Sequence, residues 1–256
     1  MTPEERIQSG LDQIESEHKV RTLLACESGS RAWGFPSADS DYDVRFIYCH
    51  PEDWYLSVFK SRDVIEVPIA DDLDISGWDL KKALGLLARS NPPLLEWLTS
   101  PIIYRTEPEA HAALKDLAKK AFRTDSCSYH YHRMAISSRS ILMVGDKVKT
   151  KKYFYVLRPL LALRWMQRGL GAPPTEFGVL CEEVLAGTEV LAAVKDLIEW
   201  KKEGLESATS HPIPAIHEWM ESELAHWEGR RFRRAESSLP REELDEAFRA
   251  LLRLGV

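Results

Sequence analysis

The hydrophobic pattern of the chain changes its period after residue 79. Before that point, short runs rich in β-branched and aromatic residues predict strands, whereas beyond it apolar residues recur at helical spacing. The predicted strands cover residues 21–26, 44–48, 64–69 and 73–78. A strand-rich N-terminal part followed by a helical remainder is therefore expected.

Capping residues and helical spacing predict helices in both parts of the chain. Thr2 and Glu5 form a capping box, with Pro3 at the first helical position, which predicts a helix to about His18. A helix is also predicted after Asp79. Downstream helices are predicted over residues 108–121, 126–144, 153–168, 188–202, 213–227 and 241–254. The predicted fold class is α+β, with a small mixed-sheet domain over residues 1–120 followed by a helical domain over residues 121–256.

Composition narrows the class of protein. The chain has 256 residues, with 34 Lys and Arg against 40 Asp and Glu, a net charge of −6. It lacks the overall positive field of a dedicated nucleic-acid binder, so any contact with nucleic acid must be local. The dispersed cysteines form no C-x-x-C pair. No apolar stretch approaches about 18 residues, so we expect a soluble cytoplasmic protein without a membrane partner.

Candidate chemistry is concentrated in residues 27–46. Gly29 permits close approach of a bulky anion, Ser30 adds a hydroxyl donor, and the next residues can open a helix that attracts phosphate. Asp41 and Asp43 stand two apart at the start of a predicted strand, so both side chains are expected on one face. Paired carboxylates suit Mg²⁺ or Mn²⁺ bound to a nucleotide's phosphates.

An ordinary turn or a different binding loop could also contain some of these residues. A Gly-Ser pair or an Asp-x-Asp alone is common in surface turns, but their order ahead of a strand is more specific. An EF-hand would begin with Asp39, yet its glycine position holds Val44 and its closing glutamate position holds His50. A Walker loop is excluded because the chain has no G-x-x-x-x-G-K-[ST].

Together, the Gly-Ser signature and the Asp-x-Asp resemble the polymerase-beta-type nucleotidyltransferase superfamily. Residues 29–34, 77–84 and 91–101 resemble, within it, the predicted nucleotidyltransferases described as RNA-ligase-associated. The resemblance implies a nucleotidyltransferase catalytic domain in residues 1–120 and a helical domain that binds nucleotide and substrate in residues 121–256. It also implies a third carboxylate on a neighbouring strand. Asp79 fits by its Gly-Trp-Asp signature, although it would also suit a helix cap, and Asp74 is the alternative.

Basic residues supply further candidates. The segment 147–168 carries seven Lys and Arg and no Asp or Glu, and its Lys152, Tyr155 and Arg158 lie in a stretch that resembles the family. With Gly29, Ser30 and Arg31, these residues are predicted to bind the nucleoside triphosphate. A solvated helix face with inward aromatics is the competing interpretation. A second basic run, residues 230–234, is compatible with RNA contacts or with a solvated loop.

The function predicted is transfer of a nucleoside monophosphate from a nucleoside triphosphate to an acceptor hydroxyl, with release of pyrophosphate. In this hypothesis Asp41, Asp43 and either Asp79 or Asp74 hold the metal. The resemblance implies an RNA end as acceptor and a functional association with an RNA ligase. Nucleotidylation of a small molecule or a protein, and a non-catalytic nucleotide-binding or antitoxin-like role, are the alternatives.

Overall fold

The computed structural model describes residues 1–144, 146–204, 209–232 and 239–254. Contacts divide the chain into two compact units. The sheet unit comprises Met1–Ala32, Asp41–Arg123 and Glu236–Val256, and the helical unit comprises Trp33–Ser40 and Thr124–Ala235. A single boundary near residue 120 would assign residues 33–40 to the first domain and the C-terminal segment to the second. The contacts instead group residues 33–40 with the helical unit and the C-terminal segment with the sheet unit. The functional roles of the two predicted domains stay predictions.

The predicted strands and helices are present in the predicted order, together with elements that were not predicted, among them the strand Ile103–Thr106 and the short strands within the helical part. In the described residues the strands are β1 (Arg21–Glu27), β2 (Tyr42–Cys49), β3 (Val64–Glu66), β4 (Leu73–Asp79), β5 (Ile103–Thr106), β6 (Met143–Val144), β7 (Lys147–Lys149) and β8 (Thr209–Ser210). The helices are α1 (Pro3–His18), α2 (Gly29–Trp33), α3 (Glu52–Tyr55), α4 (Leu80–Leu87), α5 (Pro92–Leu98), α6 (Pro108–Ala121), α7 (Thr124–Ser140), α8 (Thr150–Gln167), α9 (Phe177–Val184), α10 (Glu189–Lys202), α11 (Pro214–Trp227) and α12 (Arg241–Arg253). The predicted fold class is confirmed.

The sheet of the sheet unit is mixed. Its strands lie in the order β3-β4-β2-β1-β5. Strands β2 and β4 run parallel, and the other neighbouring pairs are antiparallel. A small antiparallel sheet of β6, β7 and β8 belongs to the helical unit. Because β2 and β4 are parallel neighbours, residues at the beginnings of these two strands meet at one end of the sheet.

Helix α1 covers one face of the mixed sheet. The Glu5 amide donates to the Thr2 hydroxyl at 3.2 Å and the Thr2 amide to the Glu5 carboxylate at 2.8 Å, which confirms the capping box. The buried side chains of this helix, Ile7, Leu11 and Ile14, recur at helical spacing. They form one core cluster with alternate residues of β2, namely Val44, Phe46 and Tyr48. The intervening residues of β2, which include Asp43 and Arg45, therefore project from the opposite face.

Aromatic rings form the core of the helical unit. Phe35 stacks on Phe154 of α8 with ring centroids 4.5 Å apart, and Phe177 of α9 contacts both rings edge-on. Helix α8 is buried on most of its circumference, so its apolar residues lack the single stripe of a surface helix. The Tyr153 hydroxyl accepts a hydrogen bond from the Ile213 amide at 3.0 Å, which ties α8 to the start of α11.

Three predicted boundaries were wrong by three residues or more. The helix expected over 126–144 ends at Ser140, because the backbone of β6 pairs with β7 instead of continuing the helical ladder. The strand expected over 64–69 ends at Glu66, since Pro68 has no amide to donate to a ladder. Helix α8 begins at Thr150, three residues before the predicted start. None of the helices in the described ranges is long and apolar enough to span a membrane.

Candidate active site

The turn between β1 and α2 packs directly against Asp43. Gly29 has a φ of +64°, a conformation that disfavours residues with a side chain. A Cβ atom added to Gly29 would lie 2.2 Å from Oδ2 of Asp43. The Ser28 amide also donates to the Asp43 carbonyl at 2.8 Å. Glycine is therefore needed here for its backbone conformation and for the space that the carboxylate occupies.

Asp43 and Asp74 are direct neighbours on the parallel strands β2 and β4. The Arg45 guanidinium joins them, with Nη2 3.2 Å from Asp43 Oδ1 and 2.7 Å from Asp74 Oδ2. Because one nitrogen contacts both oxygens, these oxygens are no farther apart than the two distances taken together, about 6 Å. The pair is partly exposed to solvent, with the positive charge of Arg45 reducing repulsion between the carboxylates.

Asp41 stands just outside the strand. Its side chain is exposed and β2 begins at the following residue, Tyr42. The Asp41 carbonyl accepts a hydrogen bond from Arg31 Nε at 3.1 Å, and the Arg31 guanidinium lies over the Tyr42 ring, 3.8 Å from its centroid. Arg31 is thereby fixed beside the Asp-x-Asp motif. The shared orientation of the Asp41 and Asp43 carboxylates stays a prediction.

Asp79 lies at the other end of β4. It is paired in register with Tyr48, whereas Asp74 is paired with Asp43. Its carboxylate accepts hydrogen bonds from the Tyr55 hydroxyl at 2.6 Å and from the Lys81 amide at 2.9 Å, which caps α4. Asp79 is 1% exposed, and burial raises its pKa. The structure does not bring Asp79 to Asp43.

Packing accounts for the Gly-Trp-Asp signature around Asp79. A Cβ atom added to Gly77 would lie 2.4 Å from the Phe46 ring, so only glycine leaves room for that ring in the core. Trp78 stacks on Trp97 of α5, with centroids 3.9 Å apart. Asp79 then begins the next helix. Packing and helix capping at the end of β4, where it meets α4 and α5, thus explain the Gly-Trp-Asp signature.

Glu27 is a site residue that the sequence pattern did not single out. It is 1% exposed at the end of β1, and its carboxylate accepts hydrogen bonds from the Asp43 amide at 2.9 Å and from the Tyr104 hydroxyl. Burial raises the pKa of Glu27, despite the opposing effect of its hydrogen bonds. The sequence did offer a signal for Glu27, because it is an acidic residue at the end of an apolar strand and next to the Gly-Ser motif. A carboxylate in such a strand needs hydrogen-bond partners. Glu27 fixes the backbone that carries Asp43.

The predicted basic residues of α8 have different environments within the helical unit. Arg158 is 2% exposed, lies 5.0 Å from the Trp33 ring centroid, and donates to the carbonyls of Pro174 and Thr175 at 3.3 and 3.2 Å. Lys152 lies over the Tyr155 ring at 4.9 Å, and Tyr155 is 39% exposed. Their contacts with a nucleotide stay predictions.

The second basic run is only partly described. Arg230 is exposed and lies over the Trp227 ring, 4.6 Å from its centroid, with Nη2 2.9 Å from His226 Nε2. Arg231 is also exposed. Arg233 and Arg234 lie outside the described residues. The contacts of Arg230 suit a surface arginine packed on the C-terminal end of α11, and its predicted RNA contact remains a prediction.

The donor set of the site suits a hard divalent cation. Carboxylate oxygens are the ligands that Mg²⁺ and Mn²⁺ prefer, and Asp43 and Asp74 supply them on adjacent strands. Within the described ranges, no group of three or more His, Cys, Asp or Glu side chains could hold a metal ion. Two protein carboxylates with open positions are compatible with Mg²⁺, which usually keeps waters and shares ligands with substrate phosphates.

The mixed sheet, the Gly-Ser turn and the paired carboxylates form the kind of site that the resemblance to polymerase-beta-type nucleotidyltransferases implies. Residues 4–250 match the model of a family described as the RNA repair pathway DNA polymerase beta family. The chain belongs to that family, which confirms the resemblance.

Two individual proteins are also similar. The chain is 47% identical over 220 residues to the uncharacterized protein YcgL of Bacillus subtilis (strain 168), covering 86% of this chain and 85% of that protein. A crystal structure of a nucleotidyltransferase-like protein from Exiguobacterium sibiricum 255-15 aligns with a TM-score of 0.31 at 12% identity. That alignment covers 86% of this chain and 78% of the other.

Proposed function

We propose that this chain is a divalent-metal-dependent nucleotidyltransferase that transfers a nucleoside monophosphate from a nucleoside triphosphate to a hydroxyl of an RNA end. The observation that carries the proposal is the register pairing of Asp43 with Asp74 beside Gly29. Membership of the polymerase beta family supports the reaction class, and the family's description supports RNA as the acceptor.

The proposed metal ligands are Asp43 and Asp74, which lie side by side on β2 and β4; a contribution from Asp41 of the same Asp-x-Asp motif stays a prediction. These residues would hold Mg²⁺ or Mn²⁺, which would neutralise charge on the triphosphate and make the acceptor hydroxyl more acidic. Asp74 takes the place of the third carboxylate because it is paired with Asp43. Asp79 serves instead as the cap of α4.

The Gly-Ser turn binds the leaving group. The Gly29 amide and the Ser30 hydroxyl donate hydrogen bonds to the β- and γ-phosphates, and the missing side chain at Gly29 keeps the approach open. Arg31 adds a positive charge, held in place by its hydrogen bond to the Asp41 carbonyl and by the Tyr42 ring. Donors fixed before the substrate arrives lower the cost of stabilising pyrophosphate.

In the chemical step, the acceptor hydroxyl gives its proton to Asp74 and its oxygen forms a bond to the α-phosphorus. The bond from that phosphorus to the bridging oxygen breaks in line, and pyrophosphate leaves with the electron pair. Glu27 holds the Asp43 backbone in place through the step. The product is an RNA end extended by one nucleotide, which suits a functional association with an RNA ligase.

The test is a transfer assay with purified protein, Mg²⁺, each α-³²P-labelled nucleoside triphosphate and pooled cellular RNA. Wild type is compared with Asp43→Asn, Asp74→Asn and Asp79→Asn. The last variant is a matched control, because asparagine retains the capping function at the start of α4. We expect label on RNA with wild type and Asp79→Asn, and none with the other two.

Each outcome discriminates between assignments. Loss of transfer in Asp79→Asn with retention in Asp74→Asn would contradict the choice of third carboxylate. Label on a small molecule or a protein in a total extract, with none on RNA, would contradict the acceptor class. Chelation of divalent cations should abolish transfer, and addition of Mg²⁺ or Mn²⁺ should restore it.

A further inference from the structure

A cleft lies in the sheet unit, near the end of β4 that is distant from Asp74. Its volume is about 620 Å³, and it is formed by α3, the loop 56–63 and the exposed side of α4. The lining residues that matter here are Trp54, Phe59, Lys60, Lys81, Lys82 and Arg89. None of these residues has a role in the proposed chemistry.

The cleft is positively charged in a chain whose net charge is −6. Lys60, Lys81, Lys82 and Arg89 contribute four cations, against the carboxylates of Asp63 and Asp79. Asp63 is paired with Lys82 at 3.1 Å, and Asp79 is buried on the Tyr55 hydroxyl. Lys60 and Lys81 are exposed, and the structure gives neither an ion pair within its described ranges. The accessible charge therefore favours an anion.

Aromatic faces lie beside these cations. Phe59 is 80% exposed and the adjacent Val58 is 91% exposed, although side chains of this size are usually packed. Trp54 lies parallel to the His50 ring at 3.7 Å, which holds its indole at the rim of the cleft. Cations interleaved with open aromatic faces are typical of single-strand nucleic-acid binding, in which bases stack and phosphates meet lysines.

The position of the cleft fits an acceptor strand. Asp74 and Asp79 are five residues apart on β4, which corresponds to about 16 Å along the strand. Their side chains leave opposite faces of the sheet, because Asp74 pairs with Asp43 and Asp79 pairs with Tyr48. An RNA whose terminal hydroxyl is at Asp74 would therefore pass around the β3 edge of the sheet to reach the cleft with its following nucleotides. We propose that the cleft binds the single-stranded segment of the acceptor RNA, with phosphates on Lys60 and Lys81 and a base on Phe59. This assignment rests on the proposed function.

The experiment measures RNA binding without catalysis. Fluorescence anisotropy with a labelled single-stranded oligoribonucleotide of about 12 nucleotides is recorded across KCl concentrations, without nucleoside triphosphate. The variants are Lys60→Ala combined with Lys81→Ala, then Phe59→Ala and Phe59→Trp. Lys119→Ala is the matched control, because Lys119 is 75% exposed in the same unit and pairs only locally with Asp116.

The double lysine variant removes two cations that meet phosphates, so the slope of log affinity against log salt should become shallower by about 1.4. Phe59→Ala should weaken binding on the order of tenfold, while Phe59→Trp should retain it because stacking needs only an aromatic face. Lys119→Ala should bind like wild type. RNA binding that is unchanged in both the double lysine variant and Phe59→Ala would overturn the assignment.

A second readout separates this proposal from the proposed function. The binding assay needs no transfer, so its result holds even if pooled RNA accepts no label. If wild type transfers label and Asp43→Asn does not, the double lysine variant should show a higher KM for RNA with kcat nearly unchanged. An unchanged KM would overturn the cleft assignment alone, and would favour a protein partner for this surface.

Discussion

The contact between Gly29 and Asp43 gives a sharp test of the site. In Gly29→Ala the new methyl group would lie 2.2 Å from the Asp43 carboxylate, and the backbone would keep a φ of +64°. The backbone conformation alone costs about 1–2 kcal/mol for a residue with a Cβ atom. For a chain of this size that cost lowers the Tm by about 2–8 °C. The steric overlap additionally forces the carboxylate away from its position.

Gly169→Ala is the matched control. Gly169 has a φ of +76°, but no atom within 4 Å of an added Cβ, so it shares the backbone cost without the overlap. Both variants should lose similar stability in thermal unfolding. Only Gly29→Ala should lose transfer activity, on the order of 100-fold in kcat/KM, because displacement of a catalytic group by about 1 Å has that effect.

Metal binding provides an activity-independent readout for the same pair of variants. Titration of Mn²⁺ in the presence of a non-hydrolysable nucleoside triphosphate should show weaker binding for Gly29→Ala and unchanged binding for Gly169→Ala. Wild-type transfer and Mn²⁺ binding in Gly29→Ala would refute the inference that this glycine positions the carboxylate of Asp43. An equal loss of both properties in the Gly169→Ala control would show that the effect is global.

Three further predictions concern stability and reactivity. Burial raises the pKa of Glu27 in the folded chain, so the folded state retains a proton that the unfolded state loses above about pH 4.3, and stability falls as pH rises through that raised pKa. Glu27→Gln should remove this contribution, and urea midpoints should shift in favour of the variant as pH rises above about 4.3; parallel profiles would contradict the cause. Asp79→Ala should lower the free energy of unfolding by about 1 kcal/mol or more through loss of the α4 cap, yet retain transfer activity. The four cysteines are free and buried, so the native protein should not react with Ellman's reagent until it is denatured; rapid native reactivity would contradict their burial.

Local chemistry made much of the fold predictable. The capping box at Thr2 and the helical spacing of Ile7, Leu11 and Ile14 specify α1 without help from distant residues. The two-residue period of a strand likewise accounts for Val44, Phe46 and Tyr48 of β2 sharing one core cluster with α1. Predicted element boundaries were wrong where strand pairing or a single proline ended the element. Helix α7 ends at Ser140 because the following residues pair with β7, and β3 ends before Pro68.

The sequence by itself determined the family, the mixed-sheet fold class and the candidate segment around Gly29 and Asp43, since these depend on residue types at short spacing. Only the tertiary structure decided between Asp74 and Asp79 as neighbour of Asp43. That choice depends on the parallel register of β2 and β4, whose strands are separated in the chain by α3 and β3. Spacing along one strand places two carboxylates on it, but cannot say which residue of another strand lies beside them.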